Sequence, residues 1–327
     1  MHQLPGVSAS GNKPGSTGST FGEKTWSTNS SVCKIGYGAG YFFGGRGTSL
    51  GYYVYASPSS GTVTATGSNG VSNSNQQPSY ENGYFVFPGA SGAFVYATSI
   101  NGTWTSKTPV TSSDQVNRIL YVSQTGEYLA IINGLHPYVS TTISGTYSVR
   151  TYSGGNAGYN VAETDGNRII FGGNAGQLRY ADGTSTTATT ITHPFGATAS
   201  FRTIKYWPSQ GVWTAGTAAG TMGYSETSNG SSGWTLVTPN FSTAGGFTAG
   251  TDGDLLFMNN RWYAIASNSG GTQVSVSVSA TSSVSSAFSS IGSHALTGGA
   301  NLNSAGTYAT NGNWIAGILG VDLFYMR

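Results

Sequence analysis

The stretch ILYVSQTGEYLAIINGLHPYVSTTISGTYSVRT, residues 119 to 151, decides the fold. It divides into the runs ILYV, EYLAII, YVSTT and TYSVRT, with the turns SQTG, NGLHP and ISG between them. Short runs rich in Val, Ile, Tyr and Thr, broken by Gly and Asn, are hairpin signals. Four such runs in 33 residues predict one antiparallel four-stranded meander.

The same grammar recurs along the chain, in residues 34 to 66, 78 to 108, 161 to 192, 204 to 238 and from about residue 250. The third strand of each unit supplies an anchor: Tyr55, Tyr96, Val139, Tyr180, Tyr224, Ser279 and Tyr325, at spacings of 41, 43, 41, 44, 55 and 46. A period of about 40 to 50 residues with four strands per unit is that of a β-propeller blade. The last unit, residues 306 to 327, holds only three strands, and FGEKTWSTNSS (21 to 31) resembles the missing fourth. An N-terminal strand completing the last blade would leave no sheet edge unpaired. The expectation is an all-β, single seven-bladed propeller over 21 to 327, preceded by a flexible Gly/Ser-rich arm over 1 to 20. Six or eight blades are the alternatives, because the sixth unit is long and its outer half, VSVSVSATSSVSSAFSSIGS, is low in complexity.

Composition agrees with strands. Of 327 residues 50 are glycine and only 7% are charged, against about 25% in an ordinary domain. Gly, Ser and Thr disfavour long helices, while Tyr, Val, Thr and Trp suit strands. Twenty tyrosines and seven tryptophans argue against disorder. A formal net charge of +2 without a basic patch points away from nucleic acid. Cys33 is alone, so no intrachain disulfide is expected. The start, MHQLPGVSAS, lacks a secretory signal pattern, and no apolar run reaches the length of a membrane span.

The turn YATSINGTWTS, residues 96 to 106, resembles the Asp-box of sialidase-like propellers. Asn101 stands where that family usually has aspartate, followed by Gly102 and Trp104; YSETSNGSSGWT is a second copy, with Asn229, Gly230 and Trp234. The third, YADGTSTTATT, keeps Asp182 and Gly183 but has no tryptophan. The grammar is similar to that of propeller proteins of bacteriophage particles. The expected role of these six residues is structural. Asn bonds nearby backbone, Gly takes the left-handed position and Trp packs between blades; sugar stacking by Trp104 or Trp234 is the alternative.

Catalysis needs convergent titratable groups. The second-to-third-strand loops, the usual functional face of a propeller, carry only Arg46 and His136 as ionisable residues, and these are the expected ligand contacts. Glu81, Glu127 and Asp165 fall at first-to-second-strand turns, where solvated surface is the expectation. Arg118, Arg168, Arg202 and Arg261 sit at unmatched offsets, so the arginine triad that a sialidase resemblance would imply is not visible, nor is a two-carboxylate site. His2, His136, His193 and His294 are scattered, which predicts no metal site, and no cofactor motif is present.

The functional expectation is a non-catalytic structural component of a bacteriophage particle, in the tail, fibre or capsid surface. Its partners would be other virion proteins, a host-surface glycan and copies of itself in a symmetric assembly, with no nucleic acid and no membrane insertion. It would be made in the host cytoplasm and reside in the virion. A glycan-binding, lectin-like propeller is the alternative, and a sialidase-like glycoside hydrolase the third reading.

Overall fold

The computed structural model describes residues 21–25, 32–46, 52–56, 63–68, 76–111, 113–154, 158–241, 249–258, 260–268, 273–295, 307–308, 314–316 and 322–326. The arm expected over 1 to 20 lies outside them. Among the described residues there is no helix.

The described strands pair into seven four-stranded antiparallel sheets. β1 (Phe21–Thr25) stands first in the chain. The first meander is β2 (Val32–Gly38), β3 (Tyr41–Arg46), β4 (Tyr52–Ala56) and β5 (Val63–Ser68). The second is β6 (Ser79–Glu81), β7 (Tyr84–Pro88), β8 (Phe94–Ala97) and β9 (Thr105–Lys107). The third is β10 (Val116–Val122), β11 (Glu127–Ile132), β12 (Tyr138–Ser140) and β13 (Ser148–Val149). The fourth is β14 (Tyr159–Thr164), β15 (Arg168–Gly173), β16 (Leu178–Asp182) and β17 (Thr189–Thr190). The fifth is β18 (Phe201–Trp207), β19 (Val212–Thr217), β20 (Met222–Ser225) and β21 (Thr235–Val237). The sixth is β22 (Ala249–Met258), β23 (Arg261–Asn268), β24 (Gln273–Ser279) and β25 (Phe288–Ala295). The last sheet joins β26 (Thr307–Tyr308), β27 (Trp314–Ala316), β28 (Asp322–Met326) and β1, in the order β1-β28-β27-β26. Each anchor residue falls on the third strand of its sheet.

The core lies between sheets. Leu120, Val122, Leu129 and Ile131 of the third sheet pack on Tyr159, Ala162, Ile169 and Phe171 of the fourth. Val161, Ile170 and Leu178 meet Phe201, Ile204 and Trp213 of the fifth. Trp207, Val212 and Met222 meet Leu255, Leu256 and Trp262 of the sixth. A sheet packed on both faces buries its second strand continuously, so β11 and β15 after their first residue, and β19 throughout, read as unbroken apolar or small runs. The fourth strands, β9, β13, β17 and β21, are mostly exposed and form the outer rim. The first strands lie innermost, each against the next: β2 on β6, β6 on β10, β10 on β14, β14 on β18, β18 on β22.

Five first strands carry a bulge near their start, skipping Cys33, Asn117, Asn160, Arg202 and Gly250 in the register. A bulge adds one unpaired residue and increases the local twist. It also breaks the alternation by which a strand is read. That is why β10, β14 and β18 begin two or three residues before the expected units at 119, 161 and 204. The third and fourth strands are shorter than YVSTT and TYSVRT suggest, because β12 and β13 pair only through Tyr138–Val149 and Val139–Ser148.

Candidate functional site

In a chain this poor in charge, the innermost strands are conspicuous. β6 ends on Glu81, β10 carries Arg118, β14 carries Glu163, β18 carries Lys205 and β22 carries Asp254. The signs alternate from sheet to sheet. Arg118 Nη2 donates to Glu163 Oε2 at 2.7 Å, with the side chains 12% and 15% exposed. Lys205 Nζ pairs with Asp254, whose side chain is 1% exposed. Asp254 Oδ1 also accepts from Thr203 Oγ1 at 3.2 Å and from the Leu255 amide at 2.9 Å. Burial pushes the Asp254 carboxyl upward, and Lys205 opposes that shift. A buried pair of this kind gives little net stability, but removing one partner strands the other charge, at about 3 to 5 kcal/mol.

Glu81 differs from the others. It makes no ion pair of its own among the described residues. Its Oε2 accepts from the Tyr121 amide at 3.0 Å, and Ser79 Oγ donates to the Ile119 carbonyl at 3.2 Å. Both bonds satisfy the inward edge of β10, which has no strand partner on that side. Burial raises Glu81 to about 7, Arg118 pulls it down, and Glu163 adds to the rise. The solvated turn expected at this position is therefore a correction. The two-residue turn after Glu81 leads straight back into β7, and the half-buried side chain lines a half-open cavity.

That cavity measures about 170 Å3. Glu81, Arg118, Glu163 and Lys205 line it together with the rings of Tyr37, Tyr80 and Tyr206. Arg118 Nε is buried without an acceptor, so the guanidinium has donor capacity beyond its bond to Glu163.

The other turn carboxylates are also engaged. Glu127 holds Arg150 through both oxygens, at 2.7 and 2.8 Å. Asp165 Oδ1 accepts the amides of Asn167 and Arg168 at 2.8 and 2.7 Å in an exposed turn. Among the described residues no three His, Cys, Asp or Glu side chains converge to hold a metal ion.

Arg46 and His136 stand on the first and third sheets, with the β6–β9 sheet between them. Arg46 is the last residue of β3, opposite Val32, rather than a loop residue, because the β2–β3 ladder runs on to include it; its side chain lies outside the described residues. His136 is half-buried in the β11–β12 loop, with Nδ1 buried and lacking a partner.

Asn101, Gly102 and Trp104 lie in the β8–β9 turn. Gly102 donates its amide to the Ser99 carbonyl at 2.9 Å but is not left-handed, because the last position of such a turn needs no positive φ. It is glycine for space, since a Cβ there would sit 3.1 Å from the Ser99 carbonyl oxygen. Trp104 meets Phe87 of its own sheet edge-on at 5.2 Å. In the β20–β21 turn, Asn229 Oδ1 accepts the Ser231 amide at 3.1 Å. Gly230 has φ +60°, and Trp234 Nε1 donates to its carbonyl at 2.9 Å. This turn leans on the fourth sheet. Arg168 Nη1 reaches the Asn229 carbonyl at 3.4 Å, while its Nη2 holds Asp182 at 2.6 Å.

Sequence reasoning missed the inner charges as a set. The available signal was charge of a single sign on the first strand of consecutive units, alternating from unit to unit, with Arg202 beside Lys205 on β18 and Asp252 beside Asp254 on β22. Their differing offsets from the turns hid it, because the long Arg and Lys side chains bridge a stagger that backbone spacing does not show.

No family model matches the sequence, and no curated protein matches it. Solved structures do. The structure described as "YCF48 bound to D1 peptide" is similar with a TM-score of 0.66 at 10% identity, over 94% of this chain and 96% of that one. The computationally designed protein Ika8 is similar with a TM-score of 0.56 at 11% identity, over 91% and 96%. At such identities the likeness speaks for the backbone alone. Joined to the repeated four-stranded sheets and their stacked faces, it establishes that the chain is a repeat protein with the β-propeller fold.

Proposed function

We propose that this propeller is a non-catalytic structural component of a bacteriophage particle, at the tail, fibre or capsid surface, packed against other virion proteins or copies of itself. The observation that carries the reading is where the charge lies. With 7% charged residues, the chain directs Glu81, Arg118, Glu163, Lys205 and Asp254 inward and pairs Glu127 with Arg150 and Asp182 with Arg168. Among the described residues the exposed positions are mainly Gly, Ser, Thr and Asn. Interface cores are depleted in charge, and such a surface is covered at little desolvation cost. It also suits contact with a host-surface glycan.

The reading includes seven blades closed by the N-terminal strand. β1 pairs with β28 from Phe21–Met326 to Thr25–Asp322, and β26 touches both β22 and β2, which supports a ring. It also takes the β8–β9 and β20–β21 turns as worn Asp-boxes, supported by the Asn229 side-chain bond. The test is purification of particles from a lysate followed by high-salt washes. Retention in fixed stoichiometry is the expected result. Loss to the soluble fraction overturns the reading, and turnover of a glycoside panel by the isolated protein overturns its non-catalytic part.

A further inference from the structure

We infer that the half-open cavity beside Glu81 binds a small aliphatic carboxylate, a free short-chain acid or the acidic side chain of another protein, seated between Arg118 and the protonated carboxyl of Glu81. The inference is independent of the particle reading.

Three observations carry it. The first is a donor without an acceptor. Arg118 lines the cavity and its Nη2 donates to Glu163, while its Nε is buried with no acceptor among the described residues. Buried polar groups are normally satisfied, so an orphaned N–H in a residue that borders open space calls for an acceptor from outside the chain. The second is the charge that an occupant meets. The lining holds Arg118, Lys205, Glu81 and Glu163, whereas Asp254, the partner of Lys205, is fully buried and not part of it. Arg202 is exposed outside the lining, and the side chains of Lys34 on β2 and Asp252 on β22 lie outside the described residues. With Glu81 protonated, the lining presents two cations against one anion, which suits a monoanion and disfavours a cation.

The third is shape and lining. At about 170 Å3 the space is smaller than the roughly 300 to 1,000 Å3 of drug-sized pockets. Tyr37, Tyr80 and Tyr206 border it and offer ring surface to a short alkyl stem. Glu81 keeps Oε2 on the Tyr121 amide, and its other oxygen carries the proton that the ligand accepts. A carboxylic acid donating to a carboxylate makes a short, charge-assisted hydrogen bond. A phosphate dianion would bring twice the charge towards Glu163.

Binding is linked to a proton. Glu81 titrates at about 7. The charged groups around it are Arg118 on β10, Glu163 on β14, Lys205 on β18 and Lys34 on β2. The neighbouring phenols are Tyr84 on β7, Tyr121 on β10, Tyr128 on β11 and Tyr37 on β2. The ligand selects the protonated carboxyl, because two carboxylates at this distance repel, so above neutrality binding must take up a proton from solvent. Affinity is therefore full below the Glu81 value and falls as pH rises through it.

The experiment is calorimetric titration of the full chain with sodium n-butyrate at pH 6 and pH 8. The expected result is saturable binding at pH 6 and about tenfold weaker binding at pH 8, the change in protonated fraction for a group titrating near 7. Glu81→Gln offers an amide N–H at every pH, so it should bind at both values as the parent does at pH 6. Arg118→Lys keeps a cation for Glu163 without the Nε donor and should weaken binding about tenfold, with circular dichroism that of the parent. N-acetyl-glutamate methylamide separates the sources. Equal binding points to an acidic side chain of another protein, exclusion to a free small acid, and either supports the site. No saturable binding at pH 6, affinity at pH 8 equal to or above that at pH 6, a pH dependence that persists in Glu81→Gln, undiminished binding by Arg118→Lys, or binding of n-butylammonium in place of butyrate overturns the inference.

Discussion

At the scale of the residue, Glu81 is a carboxyl that the fold holds at a cost once it ionises. Its carboxyl is raised from an ordinary 4.5 to about 7, chiefly by burial. Between those values the folded chain keeps a proton that the unfolded chain has released. Stability therefore falls as pH rises through that window and is level above it. The difference amounts to up to about 3 kcal/mol. Glu81→Gln keeps the acceptor for the Tyr121 amide and carries no charge. We expect it to be more stable than the parent by about 1 to 3 kcal/mol at pH 8, with the gap closing by pH 5. Urea midpoints across that range decide it, and a gap independent of pH would contradict the assignment. This residue was legible in sequence as a turn carboxylate and no more. Its burial follows from β10, whose inward edge it satisfies from 40 residues away.

At the scale of the element, the β20–β21 turn shows what a short motif can and cannot announce. SNGSSGW was readable as a bend with a glycine and a packed tryptophan. What the motif did not show is its seat on the neighbouring sheet. A Cβ on Gly230 would lie 2.4 Å from Ile170 Cδ1 and 2.9 Å from the Trp213 ring, at a backbone with φ +60°. We expect Gly230→Ala to cost about 2 kcal/mol or more, from left-handed strain and the displaced neighbours together. Gly102→Ala in the sister turn should cost less, since its backbone is ordinary and one carbonyl at 3.1 Å is the tight contact. Equal losses in thermal denaturation would contradict that difference. The bulges belong to this scale as well. They recur at the start of five first strands, yet the residues skipped, Cys33, Asn117, Asn160, Arg202 and Gly250, share no chemistry from which a sequence reader would infer them.

At the scale of the whole molecule, the proposed closure makes a distinct claim about the N-terminal strand. If β1 fastens the last blade, a chain lacking residues 1 to 25 leaves the edge of β28 bare along five residues. An unpaired edge recruits other strands. We expect that truncation to lower the melting temperature and to produce concentration-dependent association in sedimentation velocity; removing residues 1 to 20 alone should do neither. Equal behaviour of the two truncations would argue against closure. The sequence by itself determined the all-β class, the four-strand unit and its period, because hairpin turns and strand composition are local and repeat with the blade. Only the tertiary structure decided the inner charge alternation, the burial of Glu81 and the cavity beside it. Those depend on which side chains meet across neighbouring sheets some 37 to 51 residues apart, and no local pattern encodes that register.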